Sequence, residues 1–297
     1  MALNNGIAAA LGFFDGVHLG HAEIIKKTVQ SGYCPVVLTF DDHPYNIVKK
    51  INKIKLITPR DIKTSLIADL GAESVYLNFH EYRNLQPDEF IKKLIDMGVR
   101  HVVCGFNYKF GAGAGGGICE LRELCAEYNM TYEIVDPIYC GEKIPVSSSR
   151  IRELLYNGDI TEAIEFLGHP FYIEKPVIHG NKLGAKLGFP TVNQRFCEND
   201  LIPAAGVYAS LVCLDGEKLE AVTNIGVRPT VGDTNTATTE TYILDYNRNF
   251  YGETLRVALL NKIRDEIKFN SVDELKNQIQ LDVDTRKSNY YLVQPKT

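Results

Sequence analysis

Along the first half of the chain, short continuous apolar runs alternate with stretches of helical spacing. Ile7 to Leu11 is an unbroken apolar run, too short for a helix, which predicts a strand buried on both faces. From His21 to Gln30 the residues Ile24, Ile25 and Val29 share one side at helical spacing, and Pro35 to Phe40 is a second strand of the buried type. The alternation continues with helices at Pro59–Asp69, Pro87–Asp96 and Ile118–Tyr128 and strands at Ser74–Leu77, His101–Cys104 and Tyr132–Asp136. Strands separated in this way by helices predict an α/β, doubly wound, mostly parallel sheet. Ligands of such sheets sit outside the carboxyl ends of the strands, where the loop after Leu11 must emerge.

The pattern changes in the second half. Arg150 to Leu167 carries helical spacing interrupted by "NGD" at Asn157–Asp159, which predicts two short helices in tandem. Beyond "GHP" at Gly168 come short β-type runs, "GVYASLVCL", "LEAVTNIGV", "TETYILDY" and "TLRVALLNKI", joined by turns such as "DGEK". These predict an antiparallel sheet or small barrel, closed by a helix over Ser271–Thr285 with Ser271 as N-cap and Glu274 three residues on. The expected organisation is an α/β domain over 1–168 and a small antiparallel β-barrel domain with a C-terminal helix over 169–297.

Composition narrows the function classes. With 297 residues, 45% hydrophobic and 23% charged, the chain can bury one large or two medium cores. A net charge of -5 gives no reason to expect nucleic-acid binding, so an anionic ligand must be held by local clusters. No apolar run approaches the roughly 20 residues of a membrane span, and no secretory leader is evident, so no membrane association and a cytoplasmic location are expected. Seven scattered cysteines, none in a CxxC pair, argue against a disulfide framework or a zinc knuckle, and most are expected to be small buried hydrophobes. Oligomeric state has no signature in the sequence.

Chemistry concentrates in "LGFFDGVHLGH", Leu11 to His21. Its histidines could be metal ligands, turn residues or part of a phosphate cradle. Zinc would need further ligands, and the nearest, His43, lies beyond a whole helix. Gly16 and Gly20 would let a ligand approach the backbone, and a helix start offers free N–H groups, so a phosphate cradle fits best. Its complement is "VSSSRIR", where Ser147, Ser148 and Ser149 precede Arg150 and Arg152 at another helix start. The run "GAGAGG", Gly111–Gly116, formally matches a dinucleotide fingerprint, but five residues separate it from the strand end at Gly105, so a loop covering a ligand is the better expectation. No Walker A ending is present.

"GVHLGH" contains HxGH, and "VSSSRIR" resembles the "ISSTxIR" signature of the HxGH nucleotidyltransferases. With "LTFDDHP", "GFNYKFG", "HGNKLGAKLGFPTVN", "PAAGVYA", "NIGVRPT", "ETYILDYNRNFYG" and "IRDEIKFNSVDELKNQI", in order over nearly the whole chain, the sequence resembles the bacterial bifunctional riboflavin kinase/FAD synthetase family.

The resemblance implies a Rossmann-like N-terminal domain that adenylylates FMN with ATP, giving FAD and pyrophosphate, and a C-terminal module that phosphorylates riboflavin with ATP. It implies that His18 and His21 polarise the ATP phosphates, with Asp15, Gly16 and Gly20 in the same phosphate-binding loop. Ser147, Ser148, Ser149 and Arg152 would hold the leaving pyrophosphate, and His43 and Asn107 would lie near the flavin. In the kinase module it implies Thr191 and Asn193 at a Mg2+ ion, Gly180, Gly184 and Gly188 against the nucleotide, and Glu240 as the base. ATP, riboflavin, FMN and FAD would be the small-molecule substrates and products. Two alternatives stay open, a single-activity enzyme with one regulatory module and a non-catalytic flavin carrier, though each leaves a phosphate site unexplained.

Overall fold

The computed structural model describes residues 6–48, 53–141, 143–180, 183–228, 236–246 and 248–288. The chain divides into two compact units, Met1–Ser148 and Ser149–Thr297. Parts of "NIGVRPT", "HGNKLGAKLGFPTVN" and "ETYILDYNRNFYG" lie outside the described residues.

In the first unit five parallel strands, β1 (Ile7–Leu11), β2 (Cys34–Phe40), β3 (Glu73–Leu77), β4 (Val99–Gly105) and β5 (Thr131–Val135), lie in the order β3-β2-β1-β4-β5. The helices are α1 (Leu19–Gln30), α2 (Pro44–Val48), α3 (Arg60–Asp69), α4 (Phe79–Tyr82), α5 (Pro87–Asp96) and α6 (Ile118–Glu127), with a two-stranded hairpin β6 (Tyr139–Cys140) and β7 (Ile144–Pro145) near the end. Ala8, Ala9, Ala10 and Leu11 are all buried, as a central strand covered on both faces requires. The strand order reverses between β1 and β4, so their carboxyl ends frame the crevice in which doubly wound folds bind ligands.

Two local expectations change. Helix α1 starts at Leu19 rather than His21, and Val29 is 37% exposed, its place in the core taken by Thr28. The Thr28 hydroxyl donates to the Ile24 carbonyl at 2.8 Å, which satisfies its polar atom within the helix. The glycine run closes on itself at its base. Phe110 and Gly116 pair with each other, Ala112 N donates to the Leu85 carbonyl at 2.7 Å, and a Cβ at Gly116 would stand 2.8 Å from the Phe110 ring. The glycines therefore serve a turn tied down at its base.

Helix α7 (Ser148–Asn157) starts at the boundary, with Ser148 in the first unit and the rest in the second, and α8 (Ile160–Leu167) follows after a break at Gly158, as expected. Its sheet comprises β8 (Phe171–Pro176), β9 (Thr191–Arg195), β10 (Gly206–Leu214), β11 (Glu217–Arg228), β12 (Thr236–Ile243) and β13 (Thr254–Arg264), in the antiparallel order β8-β13-β10-β11-β12-β9. Helix α9 (Leu183–Leu187) precedes β9, and α10 (Val272–Ser288) closes the chain. The sheet curls until its edge strands meet: the Gln194 amide on β9 donates to Lys175 O on β8 at 2.7 Å and to Leu255 O on β13 at 2.8 Å. Helix α10 is capped by the Ser271 hydroxyl, which accepts from Glu274 N at 3.1 Å, while the Glu274 carboxylate accepts from Asn270 N, one residue earlier than a standard capping box.

The cysteines depart from expectation. All are free; Cys104 and Cys125 are buried, but Cys34, Cys119 and Cys197 are exposed, because these lie at a strand start, in a first helical turn and after a strand end.

Candidate functional site

The loop from β1 to α1 is wound more tightly than ordinary side chains prefer. Phe14, Gly16 and Val17 have φ of 55, 90 and 40°, and Phe14 and Val17 are both buried. Positive φ costs on the order of 1–3 kcal/mol at a non-glycine residue, so the surroundings must impose it. They do so through Asp15, whose Oδ1 accepts from Ile57 N at 3.0 Å and Thr58 N at 3.1 Å, while Gly16 N donates to the Thr58 hydroxyl at 2.9 Å. Asp15 is 3% exposed and braces this turn.

The turn delivers the two histidines to the helix start. His18 is the N-cap of α1: its Nδ1 accepts from His21 N at 3.3 Å, which leaves the ring proton on Nε2. The rings stack at 3.6 Å with planes 13° apart. Gly20 makes room for this stack, since a Cβ there would press on the His18 ring at 3.3 Å. His21 Nδ1 is buried without a hydrogen-bond partner among the described residues. Burial, the neighbouring His18 and the Lys63 ammonium together hold His21 well below the usual histidine range, so it rests as a neutral imidazole.

The serine motif meets this turn. Ser148 donates its hydroxyl to the Asp15 carbonyl at 2.9 Å, and Ser147 stands just before α7. Ser149 is exposed, and Arg152 is one helical turn beyond Ser148 on the same helix face. Arg150, which residue chemistry alone also offered as a phosphate donor, is instead paired with Glu153 at 2.9 Å and Glu162 at 3.1 Å. His43 lies after β2 with its ring 4.6 Å from Phe13, and Asn107 lies just past the end of β4. Phe13 to His21, His43 and Asn107 thus follow the carboxyl ends of β1, β2 and β4, neighbouring strands of one sheet.

Lys63 is the residue that sequence analysis missed. It is 2% exposed, and its ammonium donates to Phe13 O at 3.2 Å, Thr39 Oγ1 at 3.3 Å and Phe40 O at 3.2 Å. Burial, partly opposed by Asp15 and Asp41, brings its pKa down to about 8. The available signal was its spacing to Leu66 and Ile67, which sets it on the buried face of α3.

In the second unit, Val207, Asn224, Glu240 and Asn193 lie opposite one another on four neighbouring strands, and Val222, Tyr242 and Thr191 form the adjacent row. This face lines a cavity of about 190 Å³, with Thr191, Asn224, Glu240 and Tyr242 on the sheet side and Leu187 and Ile279 from helices above. Thr239 and Thr241 point the other way and are buried, Thr241 hydrogen-bonding Thr223 at 2.9 Å. Glu240 is therefore on the cavity face, not on a solvent-facing edge.

The glycines expected against the nucleotide have intrachain reasons as well. A Cβ on Gly180 would come within 2.4 Å of the Asn193 amide oxygen, and one on Gly184 within 2.4 Å of the Phe189 carbonyl. Gly188, at φ 92°, ends α9. The Asn193 amide nitrogen in turn lies 3.4 Å from Thr191 O and 3.5 Å from its hydroxyl. Gly180, Asn193 and Thr191 form one packed corner, of which Thr191 lines the cavity.

Both halves of the chain resemble known proteins. An FAD synthetase family model matches residues 1–150 and a riboflavin kinase model matches 167–290. The chain is 38% identical to the bifunctional riboflavin kinase/FMN adenylyltransferase of Listeria monocytogenes, over 93% of this chain and 90% of that protein. It is 36% identical to the one of Bacillus subtilis, over 92% and 89% respectively. A solved structure described as a macrolide-efflux protein from Streptococcus pneumoniae is 31% identical, with a TM-score of 0.86, covering 95% of this chain and 94% of that one. No helix among the described residues is long and apolar enough to cross a membrane. With an FAD synthetase half and a riboflavin kinase half in one chain, and near full-length similarity to proteins that combine them, the chain belongs to the bifunctional riboflavin kinase/FMN adenylyltransferase family.

Proposed function

We propose that the crevice at the ends of β1 and β4 performs FMN adenylylation and that the cavity beside Glu240 performs riboflavin phosphorylation. The single observation that supports the first assignment is the Ser148–Asp15 hydrogen bond, which brings the serine motif to the two-histidine turn. In this reading His18 Nε2–H and His21 donate to the ATP phosphates, while Asp15 braces their turn and Gly16 and Gly20 give it its shape. Ser147, Ser148, Ser149 and Arg152 hold the β- and γ-phosphates, and His43 and Asn107 flank the flavin. An FMN phosphate oxygen bonds to the α-phosphorus as the bridge to the β-phosphate breaks, and pyrophosphate leaves. No protein nucleophile is needed; positioning and charge neutralisation supply the acceleration.

In the second site Glu240 takes the proton of the riboflavin 5'-hydroxyl as that oxygen bonds to the γ-phosphorus of ATP and ADP departs. Gly180, Gly184 and Gly188 shape the loop over the nucleotide. Among the described residues no three His, Cys, Asp or Glu side chains converge as a metal cluster. The donors present, the Thr191 hydroxyl and the Asn193 amide oxygen, suit a hard cation that keeps phosphate and water oxygens in its remaining positions, which fits Mg2+. When bound, Mg2+ shields the phosphate charge. The adenylyltransferase module is taken as 1–168 and the kinase module as 169–297, with the chain acting on small molecules in the cytoplasm.

Incubating the protein with riboflavin, ATP and Mg2+ and separating products by chromatography tests the assignment. FMN followed by FAD is expected. FMN alone would refute the adenylyltransferase half, and FAD formed only from added FMN would refute the kinase half.

A further inference from the structure

Lys63 stands behind the two-histidine turn and is not itself among the residues so far assigned to phosphate. Its three N–H groups are spent on two backbone carbonyls, those of Phe13 and Phe40, and on the Thr39 hydroxyl, which itself donates to Phe13 O at 2.8 Å. The ends of β1 and β2 are thereby tied at one point, directly before the strained turn that begins at Phe14. The ammonium also sits 4.3 Å from the Phe13 ring centroid and 5.1 Å from that of Tyr76, and Phe13 leans edge-on against His43. A lysine buried to this degree is rarely retained for packing alone, because a methionine or leucine would fill the space without desolvating a charge.

We propose that Lys63 is a positioning residue of the adenylyltransferase site, fixing the β1 and β2 carboxyl ends and supplying the buried positive charge behind the stacked histidines. The proposal rests on the assignment of His18 and His21 to the ATP phosphates. The charged and titratable groups that face Lys63 are Asp15 after β1, Asp41 after β2, Arg60 on α3, His21 on α1 and Tyr76 on β3. Asp15 and Asp41 favour its charged form, whereas burial and Arg60 oppose it, which leaves its proton in balance near pH 8. Loss of that proton removes the clamp's charge and its field on His21 together.

The test uses the full chain with K63M and K63R, following FAD formation from FMN and ATP between pH 6.5 and 9.5, with FMN formation from riboflavin as the internal control for folding. Wild type is expected to lose turnover above about pH 8, and K63R, which stays charged throughout, to lack that limb. K63M is expected to lower kcat for FAD formation at least about tenfold, with a smaller change in the KM for ATP and FMN formation unaltered. Wild-type kcat in K63M, or an unchanged alkaline limb in K63R, would overturn the proposal. If K63M loses both activities through misfolding, the K63R limb decides. Wild type that makes no FAD at any pH would refute the site assignment itself, a result distinct from an active wild type indifferent to Lys63.

Discussion

The Ser148 hydroxyl donates to the Asp15 carbonyl at 2.9 Å across a sequence separation of 133 residues. This bond fastens Ser148, the last residue of the first unit, to a turn whose backbone is held at positive φ on both sides of Asp15. The turn exists to present His18 and His21, and its strain is met by the Asp15 contacts to Ile57 and Thr58. Removing the hydroxyl should loosen the joint without unfolding the unit. S148A is expected to weaken FAD formation roughly fivefold, the worth of about 1 kcal/mol for one hydrogen bond, with FMN formation unchanged. Steady-state kinetics of both activities on one preparation checks it, and equal loss in both would contradict the joint's local role.

His21 and Glu240 should separate the two activities. H21A is expected to abolish FAD formation and spare FMN formation. E240Q should do the reverse, lowering FMN formation by about 10²–10⁴, the range for loss of a general base, while FAD still forms from added FMN. The neutral resting state of His21 adds a pH signature. Because its folded-state pKa lies below the unfolded value of 6.5, the unfolded chain takes up the proton first as the medium acidifies. Its contribution to stability is complete above pH 6.5 and falls away below it, a loss that H21A should lack in thermal melts across pH 5 to 7.

The structure also separates what the chain displays openly from what it hides. Strand β1 and helices α5 and α6 follow from apolar periodicity because their burial is decided by local pattern. Strands β8 and β9 do not: "FYIEKP" ends in proline, and "TVNQR" is mostly polar because it lines a cavity on one side and seats Gln194 at the closing seam on the other. HxGH and the serine run are legible because phosphate chemistry demands those side chains at adjacent positions. Lys63 is not, because its partners are carbonyls of Phe13 and Phe40, and backbone groups leave no trace in sequence. Arg150 misleads for the opposite cause, its guanidinium being claimed by Glu162 twelve residues on.

Gly180 offers a test of the packed corner in the kinase module. An alanine Cβ would lie 2.4 Å from Asn193 Oδ1, closer than any tolerated contact, so the Asn193 amide must swing away from Thr191. G180A is expected to reduce FMN formation at least about tenfold and raise the apparent KM for Mg-ATP, leaving FAD formation intact. The three nearest atoms all belong to Asn193, so the loss should not add to that of N193A: in an N193A background, G180A should have little further effect. Additive losses in the double variant would mean that Gly180 acts elsewhere.

Lys63 should leave a mark on stability opposite in sign to its mark on activity. Its folded-state pKa of about 8 lies below the 10.5 of an exposed lysine, so the folded chain gives up this proton more readily than the unfolded chain. Burying the charge therefore costs about 3 kcal/mol at neutral pH, and the cost fades as pH rises from 8 to 10.5. Between pH 7 and 9.5 the stability of wild type relative to K63M is expected to increase by about 2 kcal/mol, as measured by denaturant midpoints. Comparison with K63M cancels the tyrosines, which also titrate at the upper end. A lysine whose folded-state pKa stayed at 10.5 would show no such rise, and the cost borne at neutral pH is what a charge held in this buried clamp entails.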